Sequence, residues 1–250
     1  MELIRSTAVF GQKTSVFCSD ASVDEHIYDG DGKGWLYKDL FSLICQKDRY
    51  TGWHCKNVAQ LSYEIGKAAG MPEENLRLLY TAGLLHDIGK LMVDSSILLK
   101  PGKLTDAEFL KIQSHPWAGV KILETFDADK TIIDGAWHHH EKWDGSGYPD
   151  GLKKNGVQTP TRIITIADSF DAMTEYRPYR DPMPFDKVKK EFIKCNGKQF
   201  DPIFCTLFID MIADFNDSGK IYKYEEVRAA YEARRKARDN AEESRKGVRT

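Results

Sequence analysis

The chain has 250 residues, with 36 lysines and arginines, 38 aspartates and glutamates, and a formal net charge of −2. This length allows one large domain with a substantial core, and the near-neutral charge argues against a broad basic surface for a nucleic-acid polymer. The five cysteines form no CxxC pair, and no apolar run is long enough to cross a membrane. The first residues lack the long apolar segment of a signal peptide, so none is expected. These features predict a cytoplasmic protein.

Composition and pattern predict three segments. Residues 1–44 are expected to be an N-terminal extension that contains a turn-rich linker at 29–34, residues 45–215 the main helical domain, and residues 216–250 a charged helical tail. No β-type alternation persists. The predicted fold class is therefore all-α, as a bundle of about seven or more helices.

The spacing of apolar residues predicts helices and indicates which histidines point inward. The predicted helices lie at about 36–45, 51–69, 73–86, 105–114, 118–125, 161–173, 185–194 and 202–215, with a short one before residue 137. His54 shares an apolar stripe with Val58, and His86 follows Leu79 at i+7. Both imidazoles are therefore predicted to point inward.

An imidazole and a carboxylate stand side by side at His86 and Asp87. On a buried face this pair is costly unless its charge is compensated, and a divalent cation is the simplest compensation. The alternative is a hydrogen bond between the two at a helix end. Gly89 is expected to end the helix. Lys90 is one turn past His86, so its ammonium is expected to reach whatever the pair holds, or else to act as a partner of the helix dipole.

Seven residues on or at the ends of helices are candidate metal ligands: His54, His86, Asp87, His115, His139, His140 and Asp168. Any one of them alone is more often a satisfied core residue. Together they are too many for one tetrahedral zinc, and they suit two metals that share a bridging carboxylate about 3.5–4 Å apart. Imidazoles and carboxylates without thiolates are compatible with iron or manganese, and also with zinc or nickel.

Two motifs resemble the paired signature of the HD-GYP family, a branch of the HD phosphohydrolases. They are His-Asp-Ile-Gly-Lys at 86–90 and His-His-Glu-Lys-Trp-Asp-Gly-Ser-Gly-Tyr-Pro at 139–149. The likeness extends through 168–173, 177–180 and 199–202, and it covers residues 45–215. It implies a metal-dependent phosphodiesterase that hydrolyses cyclic di-GMP to the linear dinucleotide pGpG, with a further cut to GMP in some relatives. A hydroxide bridging two cations would attack the phosphate.

The resemblance also implies a ligand set, carried over position by position. One metal takes His54, His86, Asp87 and Asp168, and the other takes Asp87, His115, His139 and His140, with Asp87 as the bridge. Members with a third metal use a glutamate four residues before the first histidine, where this chain has Tyr50. Two divalent ions are therefore expected, most simply iron or manganese, and the second cleavage is in doubt.

Substrate contacts are likewise expected from the resemblance. Asp87 and Lys90 are the expected catalytic residues, and Lys90 also donates to the phosphate. Arg177 and Arg180 are expected to bind phosphate or guanine because a guanidinium fork suits both; the alternative for both is a surface ion pair. Tyr148 is expected to be held against the ligand or the pocket wall, although the loop at 144–151 has a purely structural role as its alternative.

Residues next to the ligands are expected to orient them. Glu141 and Asp144 are expected to support His139 or His140, and Asp171 either does the same or makes an internal salt bridge. His138 faces away from the ligand set because adjacent helical residues point in different directions. His26 is expected to be exposed.

The expected partner is a cyclic dinucleotide, and neither a nucleic-acid polymer nor a membrane is expected. Two alternatives to the cyclic di-GMP enzyme stay open: a phosphodiesterase that prefers cyclic GMP-AMP or another phosphoester, and a weakly active adaptor that binds a cyclic dinucleotide. The first 44 residues are too short for a sensor domain, so regulation is expected from a signalling protein, from the N-terminal segment or from expression.

Overall fold

The structure, a computed structural model, describes residues 25–100, 102–174 and 182–213. Within these ranges the chain forms helices and no strand, which confirms the predicted all-α class. The α-helices are α1 (Gly34–Lys47), α2 (Arg49–Ala68), α3 (Glu73–Leu85), α4 (Ser95–Leu98), α5 (Asp106–Gln113), α6 (His115–Thr125), α7 (Lys130–His138), α8 (Thr159–Thr174), α9 (Phe185–Cys195) and α10 (Pro202–Met211). Two 3₁₀-helices cover Ile88–Met92 and Lys154–Gly156. None of these described helices is both long and apolar enough to span a bilayer.

Helix α2 lies at the centre of the bundle. It packs against α1, α3 and α8, while α3 also packs against α7, and α6 packs against both α7 and the first 3₁₀-helix. The predicted stripe of α2 is buried, including His54 and Val58. Burial of this face in an apolar core is the main stabilising contribution to such a helix. The helices that carry the candidate ligands are therefore neighbours in space.

Polar caps fix the starts of two helices. The Asp48 carboxylate accepts hydrogen bonds from the backbone N–H groups of Tyr50 and Thr51 at the start of α2. At the start of α5, Thr105 and Glu108 form the predicted capping box. These side chains satisfy N–H groups that the first helical turn leaves unpaired. The carboxylate of Asp48 is consequently committed to its cap.

The end of α3 differs from the prediction. The α-helix ends at Leu85, and Gly89 lies inside the following 3₁₀-helix rather than at the helix end. A Cβ atom on Gly89 would lie 1.8 Å from the carbonyl oxygen of His115. Gly89 is therefore needed for close contact with the start of α6. The predicted close approach at Gly83 is present, since a Cβ there would lie 2.9 Å from the Cα of Ala59.

The described part of the N-terminal segment packs on the bundle. Ile27 is buried, and the backbone N–H of Tyr28 donates to the Thr81 hydroxyl at 2.8 Å. His26 is half-buried and stacks on Tyr63 with ring centroids 4.4 Å apart, so the expectation that it is exposed is wrong. Helix α1 crosses position 45, where a boundary was predicted. The three-segment division stays a prediction, and the tail at 216–250 lies outside the described residues.

Replacing Gly89 by alanine is expected to destabilise the protein. The added methyl group would overlap backbone atoms of α6, and overpacking of this kind costs about 3 kcal/mol in the free energy of unfolding. Gly156→Ala is the matched control, because the nearest atom to its new Cβ would be 3.8 Å away. Chemical denaturation of both variants measures the effect. Equal stability of the two variants would contradict the close packing at Gly89.

Candidate metal centre

Five elements deliver the seven candidate ligands to one buried region. The contributing positions are His54 in α2, His86 and Asp87 directly after α3, His115 at the start of α6, His139 and His140 directly after α7, and Asp168 in α8. Six of the seven form two clusters, His54–His86–Asp87 and His115–His139–His140, and within each cluster the ligand atoms lie within 4.8 Å of one another. The seventh, Asp168, lies 3.1 Å from His54. The structure therefore brings together the residues that the sequence singled out.

Asp87 lies between the two clusters. Its Oδ2 atom is 3.4 Å from Nε2 of His86 and 3.7 Å from Nε2 of His54. Its Oδ1 atom is 3.2 Å from Nε2 of His115 and 3.9 Å from Nε2 of His139. Each carboxylate oxygen thus faces a different group of imidazoles, which is the geometry that a bridging carboxylate requires.

Backbone carbonyl groups fix three of the imidazoles. His86 Nδ1 contacts the oxygen of Gly83 at 2.7 Å, His115 Nδ1 that of Ile112 at 2.7 Å, and His139 Nδ1 that of Gly135 at 3.0 Å. A carbonyl oxygen can only accept, so Nδ1 carries the hydrogen in each ring. In the neutral rings Nε2 then carries a lone pair, and it points into the centre. Imidazole ligands of metals are usually oriented in this way.

His54 is held by a carboxylate instead. Its Nδ1 donates to Asp171 at 2.6 Å, and the other oxygen of Asp171 accepts from the Asn57 amide at 2.8 Å. The Nε2 atom of His54 lies 3.1 Å from Oδ1 of Asp168. Burial alone would lower the pKa of His54, but hydrogen bonds to Asp168 and Asp171 raise it to about 10. The carboxylates therefore favour a positive charge at this position, whether from a proton or from a cation.

Lone pairs converge in the centre. Among the described residues, the buried Nε2 of His86 has no hydrogen-bond partner. Nε2 of His115 lies 3.1 Å from Nε2 of His139, and two facing lone pairs repel unless a proton or a cation lies between them. Burial, together with neighbouring imidazoles, holds the pKa of His139 well below its usual range, and burial lowers that of His140 to about 4. Neutral imidazoles beside anionic carboxylates are a donor set that fits divalent cations.

Lys90 contacts the centre from its more open side. Its ammonium donates to Oδ2 of Asp87 at 2.5 Å, and its side chain is 23% exposed. Burial alone would raise the pKa of Asp87, but the charge of Lys90 and the nearby imidazoles of His86 and His115 hold it well below its usual range. Asp87 is therefore an anion at neutral pH.

Contacts of the Gly-Tyr-Pro loop (residues 144–151) differ from the expectation. Glu141 accepts from the backbone N–H groups of Asp150 and Gly151, and Asp144 accepts from the N–H of Ser146. The expectation that Glu141 and Asp144 bind ligand imidazoles directly is therefore wrong, because both carboxylates bind loop backbone. The Tyr148 ring stacks on His140 instead, with centroids 4.8 Å apart.

Some supporting residues were missed by the sequence analysis. Asn57 is one turn after His54 and fastens Asp171, while Thr165 donates to the backbone oxygen of His139 at 3.0 Å. Both lie one turn from a candidate ligand on the same helix, and this spacing is a signal that could have found them. His138 lies outside the ligand set, as predicted, and bonds Asp134 and Asp150. The predicted substrate residues Arg177 and Arg180 lie outside the described residues.

A bundle of helices around a buried histidine–aspartate cluster defines an HD-type protein. The HD domain family model matches residues 40–203. The chain belongs to the HD domain family. Proteins of this family are metal-dependent, and the cluster described above is suited to hold metal.

Curated relatives support the predicted branch. The chain is 41% identical over 149 residues to the 3'3'-cGAMP-specific phosphodiesterase 1 of Vibrio cholerae, which is 60% of this chain and 35% of that protein. It is 31% identical over 218 residues to a cyclic di-GMP phosphodiesterase of Thermotoga maritima, which is 86% of this chain and 59% of that protein. The chain thus spans less than two thirds of the length of these relatives.

A solved structure shares the fold. An HDG"Y"P protein from Bdellovibrio bacteriovorus aligns with a TM-score of 0.57 at 14% identity, covering 82% of this chain and 74% of that one. This likeness shows a shared fold, while the family match and the curated relatives confirm the resemblance to the HD-GYP branch.

Replacing Asp171 by asparagine is expected to weaken metal binding about 10- to 100-fold, the usual effect of losing a group that orients a ligand. An asparagine has one acceptor oxygen and one NH₂ group, so it cannot accept from both His54 and Asn57. Titration of the full chain with Mn²⁺ by calorimetry measures the affinity. Asp106→Asn, at an exposed position in α5, is the control. Unchanged affinity in the Asp171 variant would show that His54 needs no such partner.

Proposed function

We propose that this chain is a phosphodiesterase that hydrolyses cyclic di-GMP to linear pGpG at a centre of two divalent cations bridged by Asp87. The observation that carries the proposal is the Asp87 carboxylate, whose two oxygens face different groups of histidines at 3.2–3.9 Å. One cation would be held by His54, His86, Asp87 and Asp168, and the other by Asp87, His115, His139 and His140. Iron or manganese suits this set of imidazoles and carboxylates.

The relatives support the substrate class. Those of Vibrio cholerae and Thermotoga maritima carry names that specify cyclic dinucleotides as substrates. The Gly-Tyr-Pro loop distinguishes the HD-GYP pattern from that of a general nucleotidase. We infer a cytoplasmic location, with a cyclic dinucleotide as the partner and a signalling protein as a candidate regulator.

Two cations, when bound, make a water more acidic and offset negative charge on the phosphate. The protein's own side chains hold the cations and orient the substrate. The four anchored imidazoles keep their Nε2 atoms pointed into the centre, so little reorganisation is needed on binding. Lys90 and Asp168 are partly exposed, at 23% and 19% of their side chains, and His140 is partly exposed as well. They therefore lie where substrate arrives, and Lys90 donates to a phosphate oxygen.

Two cations are favoured over three by the residues that precede the first histidine. The position four residues before His54 is Tyr50, which offers no carboxylate. Asp48 is close in sequence, but its carboxylate accepts hydrogen bonds from N–H groups at the start of α2. With no third cation, pGpG is the expected end product, and hydrolysis on to GMP is expected to be slow or absent.

A phosphodiesterase that prefers cyclic GMP-AMP is the second candidate. It is favoured by relatives of Vibrio cholerae that are 41% and 43% identical and are named for that substrate. A weakly active adaptor is disfavoured, because the chain retains every expected ligand of a two-cation site and brings them together.

Full-length protein purified without oxygen is expected to contain close to two metals per chain and to convert cyclic di-GMP to pGpG. The measurement combines metal analysis with chromatographic identification of the product, in parallel reactions with cyclic di-GMP and cyclic GMP-AMP. Faster turnover of cyclic GMP-AMP would select the second candidate. Binding of either dinucleotide without turnover, in protein that retains its metals, would select the adaptor.

Replacing Asp87 by asparagine is expected to lower kcat at least about 100-fold, since the bridging position should matter no less than the groups that orient ligands. The amide has only one acceptor atom, so it cannot face both groups of histidines. Steady-state kinetics and metal analysis of the same preparation measure the effect. Asp144→Asn, at an exposed loop position, is the control. A fully active Asp87 variant with two metals would rule out the bridge.

A further inference from the structure

His140 is supported differently from the other candidate ligands. Four imidazoles are fixed through Nδ1, three by a backbone carbonyl and one by Asp171. Among the described residues, no hydrogen bond to a ring nitrogen of His140 is present. Its ring is instead packed between His139, at a centroid distance of 4.0 Å, and Tyr148, at 4.8 Å with an interplanar angle of 28°. The orientation of His140 thus depends on ring packing.

The part of the loop that follows Tyr148 is held by hydrogen bonds to two carboxylates. Glu141, which is 1% exposed, accepts from the N–H groups of Asp150 at 2.7 Å and Gly151 at 2.9 Å. The Asp150 carboxylate in turn accepts from Nε1 of Trp137 at 2.8 Å and contacts Nε2 of His138 at 3.0 Å. Two carboxylates therefore tie the residues that follow Tyr148 to α7 and to the segment that follows it.

Gly147 and Tyr148 are held by close backbone packing. A Cβ atom on Gly147 would lie 2.5 Å from the backbone of His140, Glu141 and Lys142. The N–H of Tyr148 also donates to the backbone oxygen of His140 at 3.3 Å. The loop therefore lies directly on the chain that carries His140, and this contact presents the Tyr148 ring to the imidazole.

We propose that Tyr148 is a positioning residue: its ring fixes the His140 imidazole in the orientation for metal binding, and Glu141 and Asp150 hold the loop in place for this purpose. This inference rests on the proposed function, in which His140 is a ligand. It assigns the tyrosine to the metal centre, whereas the sequence left open a contact with the ligand, a contact with the pocket wall and a purely structural role for the loop. The ring matters and the hydroxyl does not, because the contact is between ring faces.

The test compares Tyr148→Phe with Tyr148→Leu in the full chain loaded with Mn²⁺. The phenylalanine keeps the ring, so its metals should be released to a competing chelator at the wild-type rate. The leucine removes the stack, and one of the two metals should be released about tenfold faster, the lower end of the effect of losing a ligand-orienting group. The other metal should be retained, since His54 is held by Asp171 and His86 by the backbone of Gly83, both outside the loop. Electron paramagnetic resonance should show conversion of a coupled Mn²⁺ pair into a single ion.

A second pair of variants tests the fastening of the loop. Asp150→Asn removes the negative charge that accepts a hydrogen bond from Trp137 and contacts His138. This variant should release the same metal severalfold faster, because a loosened loop holds His140 less well. Asp144→Asn lies in the same loop but contacts only the N–H of Ser146, so it should match the wild type. Thermal melting of each variant shows that the fold is retained.

Three outcomes would overturn the inference. Wild-type metal release in the leucine variant, together with a raised KM, would show that Tyr148 binds substrate instead. A phenylalanine variant as defective as the leucine variant would assign the effect to the hydroxyl. Equal release by the two aspartate variants would remove Asp150 from the account. Failure of the proposed function would be visible separately, as wild-type protein that holds no metal pair.

Discussion

The organisation of this protein depends on one buried anion, the carboxylate of Asp87. It is 2% exposed, and burying a charged group is costly unless opposite charge and hydrogen bonds compensate. Lys90 supplies one compensating charge, and imidazoles surround both oxygens. The bundle is built so that several helices end, begin or pass beside this carboxylate. Removing the charge would leave lone pairs from several helices facing one another without a shared partner.

Helix ends solve the problem of orienting so many imidazoles in a small volume. The last turn of a helix has carbonyl groups with no partner of their own. His86 uses such a carbonyl in α3, and His139 uses one in α7. His115 uses the carbonyl of Ile112 in the last turn of α5, which also accepts from the backbone N–H of Ser114. One hydrogen bond therefore satisfies a helix terminus and also fixes the ring, so helix termination and ligand orientation are coupled.

Much of this arrangement could be predicted from the sequence. Apolar periodicity predicted that His54 and His86 face inward, and the other candidate ligands were identified as histidines and aspartates on or at the ends of predicted helices. The function of Gly89 could not be predicted, because the atom it must avoid belongs to His115, which is distant in sequence. Likewise, nothing local to Glu141 indicates that its carboxylate binds loop backbone. Residues whose partners are set by tertiary packing are those on which sequence reasoning failed.

Glycines allow the ligand-bearing segments to come close enough for their short imidazole side chains to meet. Four of them lie where the ligand-bearing segments cross, and an added Cβ at Gly83, Gly89, Gly119 or Gly135 would be within 3.4 Å of an atom of the facing segment. A bundle with ordinary side chains at these crossings would hold its helix axes 8–10 Å apart, in the usual range. Close backbones let histidines in α2 and α6, and directly after α3 and α7, surround a single carboxylate. The glycine contacts therefore help to set the geometry of the centre without involving a ligand atom.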